Sequence, residues 1–100
     1  MPRLDWSKRA EYVRSRHGVE PAGGDEAVED DHAVGLTPDP VSRGGRSVRV
    51  IGYSITAQEV LTVILVAADV DVTERPAGDW WGSNAWVAGP RDRRLYGKED

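Results

Sequence analysis

The sequence predicts an α+β domain: two N-terminal helices lying on one face of an antiparallel sheet of about four strands, then a short C-terminal helix. Three observations predict it. Apolar residues recur at helical spacing only before Asp31. Extended, branched-residue patterns take over after Pro38-Asp39-Pro40, and Pro90 opens a cationic terminal stretch.

Each element has its own signal. Trp6, Ala10 and Val13 share one face of a helix running from Ser7 to Arg16, with Ser7 or Asp5 as N-cap and His17-Gly18 as the stop. A second helix opens at Pro21, a favoured first position, and runs to about Asp31 with Ala27 and Val28 on its apolar side. Gly23 and Gly24 each weaken it by roughly 1 kcal/mol relative to alanine. Its first turn is therefore expected to be irregular, or the helix to begin at Asp25. A short strand is expected around Ala33 to Thr37. Ser47 to Ser54 alternates, with Val48 and Val50 on one face and Arg49, Ile51 and Tyr53 on the other. Glu59 to Ala67 is a branched run suited to a central strand, paired with its predecessor across a turn at Ile55 to Gln58. A last strand is expected around Ser83 to Ala88, and a terminal helix over Pro90 to Gly97. Between them, Val70 and Val72 could extend the central strand, and Pro76-Ala77-Gly78 marks a turn, as does Gly44-Gly45 earlier.

Composition bounds the chemistry. One hundred residues, 39% of them hydrophobic, suit one small domain. The absence of cysteine excludes disulfides, thiolate metal sites and a cysteine nucleophile, and fits the reducing cytoplasm. No apolar run reads as a signal peptide or spans a membrane, so a soluble protein is expected. The net charge is -4, but the charge is blocked. Arg3, Lys8, Arg9, Arg14 and Arg16 precede an acidic segment from Glu20 to Asp39, and Arg46, Arg49, Arg91, Arg93, Arg94 and Lys98 restore positive charge. Such blocking permits a basic surface on an acidic molecule.

Two histidines, His17 and His32, without cysteine make no zinc site. Asp69, Asp71 and Glu74 lack the further ligands and the glycine of a calcium loop. Phosphate-loop, nucleophile-elbow and dinucleotide motifs are also absent, so neither metal nor cofactor is expected. Metal-independent reactions remain. RNA cleavage by its own 2′-hydroxyl is one, needing a proton acceptor, a cation for the phosphorane-like transition state and an acid for the leaving oxygen.

Arg46 and Arg49 point to opposite faces of a regular strand, and Arg49 shares its face with Tyr53. On the last helix Arg91 and Arg94, or Arg93 and Tyr96, are neighbours at three-residue spacing. Either pair suits a phosphate grip with the tyrosine moving a proton, or cations placed to suit a helix C-terminus. His17, beside Arg16, is a candidate base or a helix-ending residue. Trp86 suits stacking on a base or filling the core, and Trp80-Trp81 suits an exposed docking loop or packing over a sheet edge.

Three pieces carry a resemblance when read together. They are Arg16-His17-Gly18-Val19-Glu20-Pro21 before the acidic helix Glu26 to Asp30, Arg46 to Ser54 leading into Val60 to Ile64, and the terminal Asp92-Arg93-Arg94-Leu95-Tyr96. In that order and spacing they resemble the BrnT family of bacterial toxins, which is similar in fold to RelE-type toxins and belongs to type II toxin–antitoxin systems. The resemblance implies a metal-independent RNA endonuclease that inhibits translation. It also implies a cognate antitoxin as partner and assembly with that antitoxin or with itself. With the residue chemistry above, this makes His17, Arg49, Arg94 and Tyr96 the expected catalytic residues and Arg46, Arg91, Arg93 and Trp86 the expected RNA-binding ones. Where the family tends to show Ser-Ala-Arg before the last helix, this chain has Asn84-Ala85-Trp86. A cation is missing there, which sets beside the nuclease a second reading: a catalytically weak or inactive interaction module of the same fold. That module would bind a basic antitoxin or another protein through residues 20–40 and Trp80-Trp81.

Overall fold

The computed structural model describes residues 4–41, 46–67 and 80–97. In chain order the elements are β1 (Leu4–Asp5), α1 (Ala10–His17), α2 (Pro21–Glu29), β2 (Val34–Leu36), β3 (Ser47–Ser54), β4 (Glu59–Ala67), β5 (Trp80–Val87) and α3 (Pro90–Gly97). The α+β class holds, with one sheet in the order β1-β5-β4-β3-β2. Asp69, Asp71 and Glu74, the extension through Val70 and Val72, the turns at Gly44-Gly45 and Pro76-Ala77-Gly78, and Lys98 lie outside the described residues.

The sheet departs from expectation in having five strands and in being mixed. β2, β3, β4 and β5 pair antiparallel, but β1 joins β5 in parallel, Leu4 opposite Trp80 and Asp5 opposite Trp81. A strand as short as β1 has no period of its own; it exists because β5 extends back to Trp80 and offers a free edge. Trp80 and Trp81 are therefore strand residues, not loop aromatics.

Helix α1 begins later than the spacing predicted. The Asp5 carboxylate accepts the Ser7 N–H at 2.8 Å, and a turn follows in which Arg9 and Ala10 donate to the Trp6 carbonyl. That turn keeps Trp6 in the core, where its ring lies against Gly24 and Gly82 with no room for a Cβ at either. Gly18, with φ of 67°, ends the helix as predicted. In α2, Gly23 and Gly24 are regular helix from Pro21 onward, because close packing outweighs their propensity cost. The helix stops at Glu29, short of Asp31, since Asp30 leaves it in an extended conformation.

Trp6, Val13, Val19, Ala27, Leu61, Val63, Leu65 and Ala85 form the core between α1 and α2 and one sheet face. Each large aliphatic side chain there contributes at most about 1.5–3 kcal/mol. At Gly52 the α2 backbone touches the sheet: a Cβ would collide with the Ala27 carbonyl. The opposite face is covered in part by α3, whose Asp92 is buried on Thr62. No helix among the described residues is long and apolar enough to cross a membrane.

Candidate functional site

Strand alternation and cross-strand register put one set of residues on the face away from α1 and α2. Arg49, Ile64 and Asn84 form one row across β3, β4 and β5, and Ile51, Thr62 and Trp86 the next. Arg49 is the charged centre of this face. Its Nε donates to Asp39 Oδ1 at 2.8 Å and its Nη1 to Asp92 Oδ2 at 2.7 Å. The same Asp92 oxygen accepts the Thr62 hydroxyl at 2.7 Å. All three ion-pair partners are largely withdrawn from water, the side chains of Arg49, Asp39 and Asp92 being 13%, 5% and 9% exposed.

One cation against two carboxylates leaves this centre locally negative. A phosphate drawn to Arg49 would have to displace a carboxylate from a low-dielectric setting, where an ion pair that loses one partner is costly. The arrangement suits a clamp. Asp39 ties the segment before β3, and Asp92 ties α3, to the middle of the sheet.

Aromatic rings continue the site toward α1. The Arg49 guanidinium lies 5.5 Å from the Trp86 ring centroid, Trp86 lies 5.9 Å from the His17 ring, and His17 lies 5.8 Å from Tyr12. Trp86 is half-buried and stands outside the core cluster, with the His17 ring on one side and the Arg49 guanidinium near it. His17 ends α1, as one reading had it, and its Nε2 is buried with no hydrogen-bond partner. A buried imidazole nitrogen without a protein partner is uncommon, and a water, an ion or a ligand group can satisfy it.

The remaining expected residues go elsewhere. Tyr96 turns to the C-terminal end of α2, its hydroxyl donating to Asp30 Oδ2 at 2.6 Å. Asp30 also accepts the Tyr53 and His32 N–H groups. Burial alone would raise the Asp30 pKa, but the Tyr96, Tyr53 and His32 bonds outweigh it and hold the carboxyl below its ordinary value. Arg93 donates to the Ala88 carbonyl and to Glu59 at 2.8 Å, so Arg93 and Tyr96 do not share a ligand. Arg46, Arg91 and Arg94 are exposed. Arg91 meets Arg49 at a cavity of only about 30 Å³, beside Leu36, Val41, Asp92 and Leu95, which has room for a water and not for a nucleotide. Arg49, Arg91, Arg94 and Tyr96 thus do not converge on one concave surface, whereas His17, Trp86 and Arg49 do form a continuous row.

The chain matches no family model and no curated protein. Sequence reasoning missed Asp39, Asp92, Thr62 and Asp30, the groups that fix Arg49 and Tyr96. Asp92 carried a signal, being the one acid within the cationic stretch Arg91 to Arg94. Asp39 and Thr62 carried none.

Proposed function

We propose that the chain is the toxin component of a type II toxin–antitoxin system, a BrnT-like protein of RelE-like fold that acts on RNA in the cytoplasm. The observation that carries this reading is the row Arg49, Trp86, His17, in which each ring or guanidinium stands within 6 Å of the next. The row offers a ring for a base to stack on and an imidazole as proton acceptor, and cations stand on the terminal helix to offset phosphate charge. The α+β order supports it. In this reading Trp86 receives a base, His17 takes the 2′-hydroxyl proton as the 2′-oxygen bonds to phosphorus and the P–O5′ bond breaks, water protonates the leaving 5′-oxygen, and exposed Arg91 and Arg94 contact phosphate. Arg49 holds α3 in place. Because its charge is already offset by Asp39 and Asp92, turnover is slow: loss of one charge-stabilising donor commonly costs 10²- to 10³-fold.

A specific observation also favours the second reading, a catalytically weak or inactive interaction module. A cleft of about 340 Å³ beside the end of α2 is lined by Glu26, Glu29, Asp30, Asp31, Tyr53 and Ile55, and suits a basic antitoxin segment. Trp80, which packs on the core, takes no part in it.

Induced expression in a bacterial host separates the two. The wild type and an Arg91→Ala/Arg94→Ala variant of equal thermal stability are compared for growth and for new RNA ends. Arrest with new ends in the wild type alone supports the nuclease; intact RNA and undisturbed growth with folded wild type support the module.

A further inference from the structure

The pairing of β4 with β5 contains an irregularity that matters for function. Ile64 pairs with Asn84 and Leu65 with Gly82, so Ser83 is an extra residue on β5. Trp81 and Trp86, five positions apart, would face opposite sides of a regular strand. The bulge shifts the parity. Trp81 pairs with Val66 and Trp86 with Thr62, and Val66, Ile64 and Thr62 share one face of β4. Both tryptophans therefore stand on the same side of the sheet, roughly 15 Å apart along the strand.

Cations interleave with these rings. The Lys8 ammonium lies 4.7 Å from the Trp81 centroid, and the Arg9 guanidinium lies 4.1 Å over Tyr12 while its Nε donates to the Ser83 carbonyl at 2.9 Å. The sequence continues spatially as Tyr12, His17, Trp86 and Arg49. Lys8, Arg9, Val66, Trp81, Gly82 and Ser83 line a cleft of about 200 Å³ at the far end of this row. That is smaller than the roughly 300–1,000 Å³ of pockets that enclose drug-sized ligands, and suits one planar ring whose attached groups stay in water. The cleft has an apolar floor, an aromatic wall and a cationic rim. Stacking platforms alternating with cations are how proteins hold single strands without reading sequence.

We propose that the Lys8–Trp81 cleft is a second base-stacking subsite for single-stranded RNA, one that holds a nucleotide further along the same strand than the base at Trp86. This rests on the RNA reading of the Trp86 row. A base enters against Trp81, the Lys8 ammonium moves from the ring to the adjacent phosphate, and Arg9 keeps Ser83, and with it the bulge, in place. Arg9 is a positioning residue here.

The test is binding, kept apart from cleavage. A fluorescently labelled single-stranded oligonucleotide with every 2′-hydroxyl methylated cannot be cut by 2′-hydroxyl attack, and its affinity is measured at several salt concentrations. Trp81→Ala is expected to weaken binding by about 5- to 150-fold, and Trp81→Phe to restore most of it. Lys8→Glu, at an exposed position, is expected to weaken binding and to flatten the salt dependence, which reports one phosphate contact fewer. If Trp81→Ala proves unfolded, Lys8→Glu decides alone. Wild-type binding undiminished in folded Trp81→Ala and Lys8→Glu would overturn the subsite while leaving the RNA reading standing. A wild type that fails to bind the oligonucleotide removes both. Equal affinity for a duplex of the same sequence would also overturn it, because paired bases cannot stack on Trp81.

Discussion

The Arg49 guanidinium on β3 and the Asp92 carboxylate on α3 meet at 2.7 Å across 43 positions of sequence. This contact, with Asp39 on the other side of the same guanidinium, decides how the terminal helix sits on the sheet. An arginine that reads as a phosphate ligand is thereby a structural clamp.

Removing it leaves two buried carboxylates facing each other without a cation. Arg49→Ala is expected to destabilise the fold by about 3–5 kcal/mol in urea denaturation, and Arg49→Lys to recover only part, since lysine cannot reproduce the two-sided fork. A loss below about 1 kcal/mol would show that the clamp contributes little. Activity lost in Arg49 variants has to be read against this stability.

Gly52 lets α2 rest directly on β3, its missing Cβ occupying the place of contact with the Ala27 carbonyl. Gly52→Ala is expected to cost at least about 1–3 kcal/mol, because backbone meets backbone and neither can rotate aside. Unchanged thermal stability in this variant would contradict the close approach.

Asp30 accepts the Tyr96 hydroxyl at 2.6 Å, a bond that fastens the end of α3 to the end of α2. Its carboxyl titrates below the ordinary value, so the folded state holds the proton less tightly than the unfolded chain. That stability is present above the unfolded pKa of about 4 and is lost as pH falls through the lower folded pKa. Tyr96→Phe is expected to cost about 1 kcal/mol at pH 7, with the difference from wild type shrinking below pH of about 4. A pH-independent difference would assign the loss to packing instead.

Asp25 runs the other way. Burial raises its pKa, the Trp6 indole N–H at 2.8 Å opposes this, and the charges of Glu29 and Glu26 add to the rise. The folded state therefore binds this proton more tightly, and stability declines as pH rises from the unfolded pKa through the folded one. Asp25→Asn keeps an acceptor for Trp6 and removes the charge, so at pH 7 it is expected to be as stable as wild type or up to about 1 kcal/mol more so. A clear loss, measured by thermal melting, would show that the ionised carboxylate is needed.

Local pattern determined much of this protein. The alternation of Val48 and Val50 against Arg49, Ile51 and Tyr53, and the branched run of β4, bounded both strands correctly, because period and β-branching are properties of adjacent residues. Pro21 and Pro90 opened their helices, and Gly18 closed α1, for equally local reasons. Tertiary structure alone decided the rest. β1 exists only where another strand offers an edge, and the bulge at Ser83 that brings Trp81 and Trp86 to one face depends on the register with β4. The fates of Arg49, Arg93 and Tyr96 were likewise decided by distant carboxylates. Arg49 is occupied by Asp39 and Asp92, Arg93 by Glu59 and Tyr96 by Asp30. A charged side chain is read from sequence as a valence; which opposite charge fills it is set by the packing of elements far apart in the chain.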